Sequence, residues 1–340
     1  MAAIAPPCAT IDAVTEPALD PDTPTGERTF DAERLAALIE VTTPTVPLGD
    51  EVSGATIWLK LEYQLPSGST KDRLAAHVLR RAVDEGAVHP GTTVVEASSG
   101  STSIAFAMAC AALGVRFLAV LPEGVSDERL MIIRRYGGDV ALVRGDAGMP
   151  GAIAETERLA TADPDVWLPR QFTNPENAVA HELRTGPELV ETLRAAGARL
   201  DGFAAAVGTA GTLMGVGRVV RAVNPAASVA RVVVAGETVD AEQGGPTCLG
   251  IPGVVDCLSG LLDEDELGGH HPLAVPRDEA MDAARELARR GFPVGPSSGL
   301  NLAGARRLAL LLGPGSHVAT VACDRMERYF STDLFDDLRD

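Results

Sequence analysis

The chain is 340 residues long, and 47 acidic against 29 basic side chains leave it a net charge of −18. That sign repels nucleic acid and anionic membrane surfaces, so a small soluble partner is expected. Two of the basic residues are lysines, Lys60 and Lys71, and neither follows a glycine, which excludes the phosphate-binding G-x-x-x-x-G-K-[ST] loop.

At about 150 residues per domain, the length suggests two domains with ample core. The first 27 residues are rich in Pro, Ala, Thr and Asp without periodicity and read as an arm. A short helix follows from Asp31 to Ile39, capped by Asp31. Strands are expected at Ile57 to Glu62, Thr93 to Ala97, Phe117 to Leu121, Asp139 to Val143, Phe203 to Val207, Arg231 to Ala235 and His317 to Ala322. Between them the patterns predict helices at Lys71 to Glu85, Ser101 to Leu113, Asp127 to Tyr136, Gly151 to Ala162, Asn177 to Ala195, Thr212 to Val223, Asp278 to Arg290 and Leu300 to Leu311. This alternation predicts an α/β fold of open, mostly parallel sheets covered by helices. Glu237 to His271 breaks the rhythm with glycine-rich turns, Pro246, Pro252 and the acidic run Asp263 to Glu266, as a loop region over a site would. No run of 18 apolar residues occurs and no basic region precedes the apolar start, so neither a membrane span nor a secretory signal is expected and the compartment reads as cytoplasmic. The cysteines (Cys8, Cys110, Cys248, Cys257, Cys323) are widely spaced without a C-x-x-C pair, which points to reduced thiols and no metal.

Three Gly, Ser and Thr clusters stand where a strand or extended run opens into a helix: Glu96 to Thr102, Gly208 to Thr212 and Gly295 to Gly299. A parallel sheet places its ligand crevice there, and free backbone N–H groups at helix starts suit carboxylates and phosphates. Each cluster alone fits a structural turn; the three together with a lysine loop point to a bound anionic cofactor. In that loop, Leu65 to Arg73, Lys71 opens a helix, where a cation is disfavoured by roughly 0.3–1 kcal/mol. In a chain that otherwise prefers arginine, this placement argues for a task guanidinium cannot perform, such as imine formation. Lys60, between Leu59 and Leu61 in a β run, reads as a structural or edge residue, and the paired His270 and His271 read as solvated.

Ser69-Thr70-Lys71-Asp72-Arg73, the Ser98 to Thr102 loop, Gln171 to Pro175, the Gly208 to Thr212 loop, Gly295 to Gly299 and Glu327 to Thr332 together resemble the cysteine synthase and cystathionine β-synthase family of fold-type II pyridoxal-phosphate enzymes. The resemblance spans residues 43 to 335 and implies two open sheets of the tryptophan synthase β kind, in a homodimer. The expected division is an arm, 1–44, packing with the C-terminal domain, then an N-terminal α/β domain, 45–170, and a C-terminal one, 171–340. It further implies that Lys71 forms the internal aldimine and moves the Cα proton. Gly208, Thr209, Ala210, Gly211 and Thr212 would hold the 5′-phosphate, and Ser297 would hydrogen-bond the pyridine nitrogen. Ser101 would face the cofactor where the family usually has Asn. Ser98, Ser99, Thr102 and Gln171 would bind the substrate α-carboxylate.

Four departures from the family are visible: Ser101 itself, Ala210 in place of a phosphate-loop glycine, an unrecognisable lid between Gly244 and Val255, and Cys323-Asp324-Arg325-Met326 before Glu-Arg-Tyr. Ala210 is expected to keep a negative φ. Arg325 either faces the pocket toward an anionic substrate or forms a surface ion pair. The implied reaction is β-replacement on O-acetylserine, phosphoserine or serine through an aminoacrylate intermediate. The alternatives are α,β-elimination, as in a cysteine desulfhydrase or dehydratase, and a non-catalytic binding protein of the same fold. Gly295 to Gly299 also satisfies the G-x-S-x-G elbow of serine hydrolases, but no acid lies between Ser297 and His317, so the triad order fails.

Overall fold

The structure is a computed structural model that describes residues 29–236, 251–254, 258–269 and 272–339. In chain order the elements are α1 (Ala32–Ile39), β1 (Thr45–Asp50), β2 (Ala55–Lys60), α2 (Lys71–Asp84), β3 (Thr93–Ala97), α3 (Ser101–Leu113), β4 (Arg116–Pro122), α4 (Asp127–Arg135), β5 (Asp139–Val143) and α5 (Gly148–Ala162). They continue with β6 (Val166–Trp167), α6 (Glu176–Leu183), α7 (Thr185–Ala195), β7 (Gly202–Ala206), α8 (Gly211–Val223), β8 (Ser228–Val234), β9 (Leu273–Val275), α9 (Arg277–Arg289), α10 (Pro296–Leu312) and β10 (His317–Val321). Asp31 caps α1 as expected, its carboxylate accepting the Arg34 N–H at 2.9 Å.

Two open sheets form, as the alternation predicts. The larger runs β1-β2-β10-β7-β8-β9 and the smaller β5-β4-β3-β6. All neighbours are parallel except the β1–β2 hairpin. Apolar side chains cover both faces of each sheet, which suits strands crossing over through helices. Three strands escaped the sequence reading. β1 contains Pro47 and Gly49 and is tolerated only because it is an edge strand, while β6 and β9 are edge pieces too short for a period. The single helix expected from Asn177 to Ala195 is broken at Arg184 (φ −126°, ψ −70°), so that the Thr185 hydroxyl meets the Glu62 carboxylate.

The sheets correct the expected boundary at residue 45. β2 pairs with β10, so residues 45–60 complete the larger sheet rather than the N-terminal unit. The expected arm is also split. Leu35 of α1 packs with Leu74, Leu79 and Ile104 on the smaller sheet, while Glu40 pairs with Arg184, just ahead of α7, and the Thr43 N–H donates to Glu188 of α7. Residues 1–28 lie outside the described residues.

What draws Thr43 inward is a buried ion cluster. Lys60 is fully buried and donates to the Thr43 carbonyl, to Thr43 Oγ1 at 2.6 Å and to Glu188 Oε2 at 2.6 Å. Arg73 donates Nε and one terminal N–H to the two Glu62 oxygens at 3.1 and 3.0 Å, and also reaches Glu188 at 2.7 Å. Burial opposes the Glu62 charge, yet Arg73 and then Lys60 outweigh it and hold the carboxyl at about 2, while burial lowers the Lys60 pKa. The structural reading of Lys60 is therefore correct, and its strand lies inside the sheet rather than at its edge.

Candidate active site

A pocket lies at the carboxyl ends of β3, β7 and β10, where the strand order and the helix starts converge. Its lining joins Ser99, Ser101 and Thr102 after β3, Gly208 to Thr212 after β7, and Cys323 and Asp324 after β10. Lys71 opens α2 at its wall, and Ser297 lies in the first turn of α10. The lysine loop is tied to the end of β10, because the Thr70 N–H donates to the Cys323 carbonyl at 2.8 Å. Asp72 holds the loop from behind, accepting the Ser67 N–H at 2.7 Å and the Ser67 hydroxyl, and burial raises its pKa to about 6. Lys71 itself is half-buried, and its amine has no hydrogen bond or ion pair to any described residue. Beside it the buried Thr70 Oγ1 also lacks a partner.

The Gly208 to Thr212 loop is built for close approach. A Cβ at Gly208 would stand 2.3 Å from the Gly253 carbonyl, and one at Gly211 would stand 2.1 Å from Asn177 Oδ1. Asn177 braces the loop from α6, donating to Thr209 Oγ1 at 2.8 Å and to the Gln171 carbonyl at 2.8 Å. Thr209 thus keeps its own hydroxyl hydrogen for a ligand, and the first N–H groups of α8 have no intrahelical acceptor. Ala210 contradicts expectation. It adopts φ 66°, ψ −9°, the left-handed conformation that costs a non-glycine residue roughly 1–2 kcal/mol, because the chain must turn there to start α8. Thr212 Oγ1 lies 3.2 Å from Nε2 of His181, whose Nδ1 lies 2.9 Å from Thr185 Oγ1. Burial holds the His181 pKa down to about 3, so the ring is a neutral link between this loop and the ion cluster at Glu62.

The expected carboxylate loop is only partly turned to the pocket. Ser98 is not among the lining residues: its hydroxyl lies 2.6 Å from Ser103 Oγ and accepts the Gly100 N–H at 3.0 Å. Thr102 and Gln171 line the pocket, but the Thr102 hydroxyl donates to Gln171 Oε1 at 2.7 Å, and Gln171 Nε2 donates to the Ala97 carbonyl at 2.5 Å. Ser99 borders the pocket as expected. Beneath the loop, burial raises the Glu96 pKa to about 8, while its oxygens accept the Ala97 and Gln171 N–H groups.

Ser101 belongs to a network that sequence reasoning missed. Its hydroxyl donates to Asp324 Oδ2 at 2.9 Å and accepts from Arg328 at 3.1 Å, leaving the pocket only a lone pair. Tyr329 also donates to Asp324 Oδ2, at 2.7 Å, whereas Oδ1 is buried with no partner. Ser297 lies beside Cys323, whose thiol is pushed up to about 11 by burial. Asn301 of α10 fastens this wall, accepting the Ala206 N–H at 2.7 Å and donating to the Val321 carbonyl at 2.8 Å. The signal for Asn301 in the sequence is an amide among the small and apolar neighbours Gly299, Leu300, Leu302 and Ala303. Arg325 forms a surface ion pair with Glu327 and does not line the pocket. Of the altered lid, Pro252, Gly253 and Val254 line the pocket; residues 244–250 and Val255, like His270 and His271, lie outside the described residues.

Fold and site together define an α/β enzyme with one uncommitted lysine facing a glycine-walled anion cradle. The family model for "pyridoxal-phosphate dependent enzyme" matches residues 37–324, and the chain belongs to that family. It is 38% identical to a cysteine synthase of Staphylococcus aureus over 297 residues, 86% of this chain and 94% of that protein. Among solved structures it resembles O-ureido-L-serine synthase (TM-score 0.81, 33% identity, 89% of this chain and 96% of that one). A hydrogen sulfide-producing enzyme from Fusobacterium nucleatum is similar as well (TM-score 0.80, 32% identity, 91% and 93%). The residues present fit pyridoxal phosphate: among the described residues neither the Lys71 amine nor the Thr70 hydroxyl beside it has a partner, and the helix-start cradle has glycines that cannot carry a side chain.

Proposed function

We propose that the protein catalyses β-replacement on a serine-type amino acid (O-acetylserine, phosphoserine or serine), as the cysteine synthases it resembles do by name. The observation that carries the reading is Lys71, an amine with no partner among the described residues in the pocket that holds the anion cradle. Pyridoxal phosphate, when bound, supplies an electron sink for negative charge at the substrate Cα. The chain's part is to orient and to move protons. Lys71 would hold the cofactor and then carry the Cα proton, reaching the reacting carbon from the helix start. Backbone N–H groups at the start of α8, with Thr209 and Thr212, would hold the phosphate. Ser297 would meet the ring nitrogen with a neutral hydroxyl, which supplies no counter-charge for a protonated ring. That favours short-lived carbanions, and so departure of a β group over transamination. A homodimer in the cytoplasm is part of this reading.

Net α,β-elimination is a second reading, favoured by the likeness to the hydrogen sulfide-producing enzyme. One experiment separates the two. Purified protein is loaded with pyridoxal phosphate and given each amino acid with and without sulfide. Replacement requires product only when sulfide is present; pyruvate released at the same rate without it means elimination. No visible band on loading and no product from any donor would overturn both.

A further inference from the structure

Arg129, the third residue of α4, is 6% exposed and borders the same pocket. A Cβ at Gly100 would stand 2.2 Å from its Cδ, and its guanidinium lies 4.7 Å from the centre of the Tyr329 ring. A guanidinium carries five N–H donors, yet among the described residues none of these meets an acceptor, and the buried Nε is without a partner. The cation also stands in the first turn of a helix, where the helix dipole opposes it. Every other buried arginine of the site is paired: Arg73 with Glu62 and Glu188, Arg328 with Ser101 and the carbonyls of Ser67 and Gly68. Three of the four side chains expected to meet a carboxylate are meanwhile engaged within the protein, since Ser98 is turned toward Ser103, Thr102 donates to Gln171 and Gln171 donates to Ala97; Ser99 alone of the four borders the pocket without such a bond to a described residue.

Given the amino-acid substrate proposed above, on which this inference rests, we propose that Arg129 is the counter-charge for an anionic group of that substrate, a carboxylate or a phosphate ester. The Tyr329 ring supports the guanidinium, and the donors bordering the pocket match either planar carboxylate or phosphate oxygens. Gly100 is then required at its position, because any side chain there would push Arg129 away.

Calorimetric titration of the pyridoxal-phosphate-loaded protein with L-serine, L-serinamide and O-phospho-L-serine tests this. In wild type, serine must bind more tightly than serinamide, or phosphoserine more tightly than serine; if neither holds, the proposal falls without any variant. Arg129→Gln is expected to weaken the ligand bearing the recognised group about 10- to 100-fold, the range for a hydrogen bond to a charged group. If the group is the carboxylate, serine and phosphoserine weaken together and serinamide does not; if it is the phosphate, only phosphoserine weakens. Arg129→Lys keeps the charge without the fork and is expected to fall between. Equal loss for all three ligands would show a clamp on the Gly100 turn and overturn the proposal, as would no loss. Binding without turnover of any amino acid would sink the proposed function while leaving the role of Arg129 intact.

Discussion

The two lysines of the chain occupy opposite situations 11 residues apart. Lys60 is fully buried among Thr43, Glu62 and Glu188, and its hydrogens are spoken for. Lys71 opens a helix at a pocket, and its amine touches no acceptor among the described residues. The same contrast recurs among the arginines, with Arg73 forked onto Glu62 and Arg129 beside the pocket without an acceptor among the described residues. Paired charges join the β1–β2 hairpin and residues 40–43 to Glu188 of α7, although Glu188 Oε1 itself is buried without a partner among the described residues, whereas Thr70 Oγ1, Arg129 Nε and Asp324 Oδ1 stand partnerless together around the pocket. Buried polar groups are costly unless partnered, so clustering of partnerless ones marks a site rather than a scaffold.

The largest effect should come from Lys71→Ala. Turnover is expected to fall at least about 10²–10⁴-fold, the share of a positioned proton carrier. Stability should change by less than about 1 kcal/mol, because no hydrogen bond to a described residue is lost. Lys60→Met should do the reverse. It leaves Glu188 and Glu62 short of a cation and is expected to cost about 3–5 kcal/mol in urea unfolding. If the surviving folded protein turns over normally, the two roles are cleanly divided.

Glu62→Gln sharpens the scaffold half through pH. The folded carboxyl titrates at about 2 against an ordinary 4.5, so the unfolded chain takes up its proton first as pH falls. The stability that this charge contributes is complete above 4.5 and is lost as pH drops toward 2. The cost of Glu62→Gln should therefore be constant from pH 7 down to about 5 and shrink below it, read as the difference between the two urea midpoints. A smaller effect is expected at Ala210. Glycine there removes roughly 1–2 kcal/mol of left-handed strain and adds about 0.5–1 kcal/mol of chain entropy, so Ala210→Gly should raise the thermal midpoint slightly.

Much of the site was legible because its residues are rare or clustered. Lys71 stood out by scarcity and by a helix start that disfavours cations, and the anion-binding turns by Gly, Ser and Thr at strand-to-helix junctions. What the residues hide is partnership. Nothing local to Ser98 says that its hydroxyl turns toward Ser103, and nothing local to Arg129 says that its donors are empty. Asp324 meets Ser101 only because β10 ends beside α3, and β2 joins β10 across most of the chain. Ala210 misled for a related reason: the left-handed turn there is imposed by the start of α8, and residue type alone argued against it.

Reductive trapping tests the contrast most directly. Protein loaded with pyridoxal phosphate is treated with borohydride, digested and mapped by mass spectrometry. The account predicts a pyridoxyl adduct on Lys71 and none on Lys60. An adduct on Lys60, or unmodified Lys71 in protein that binds the cofactor, would contradict it.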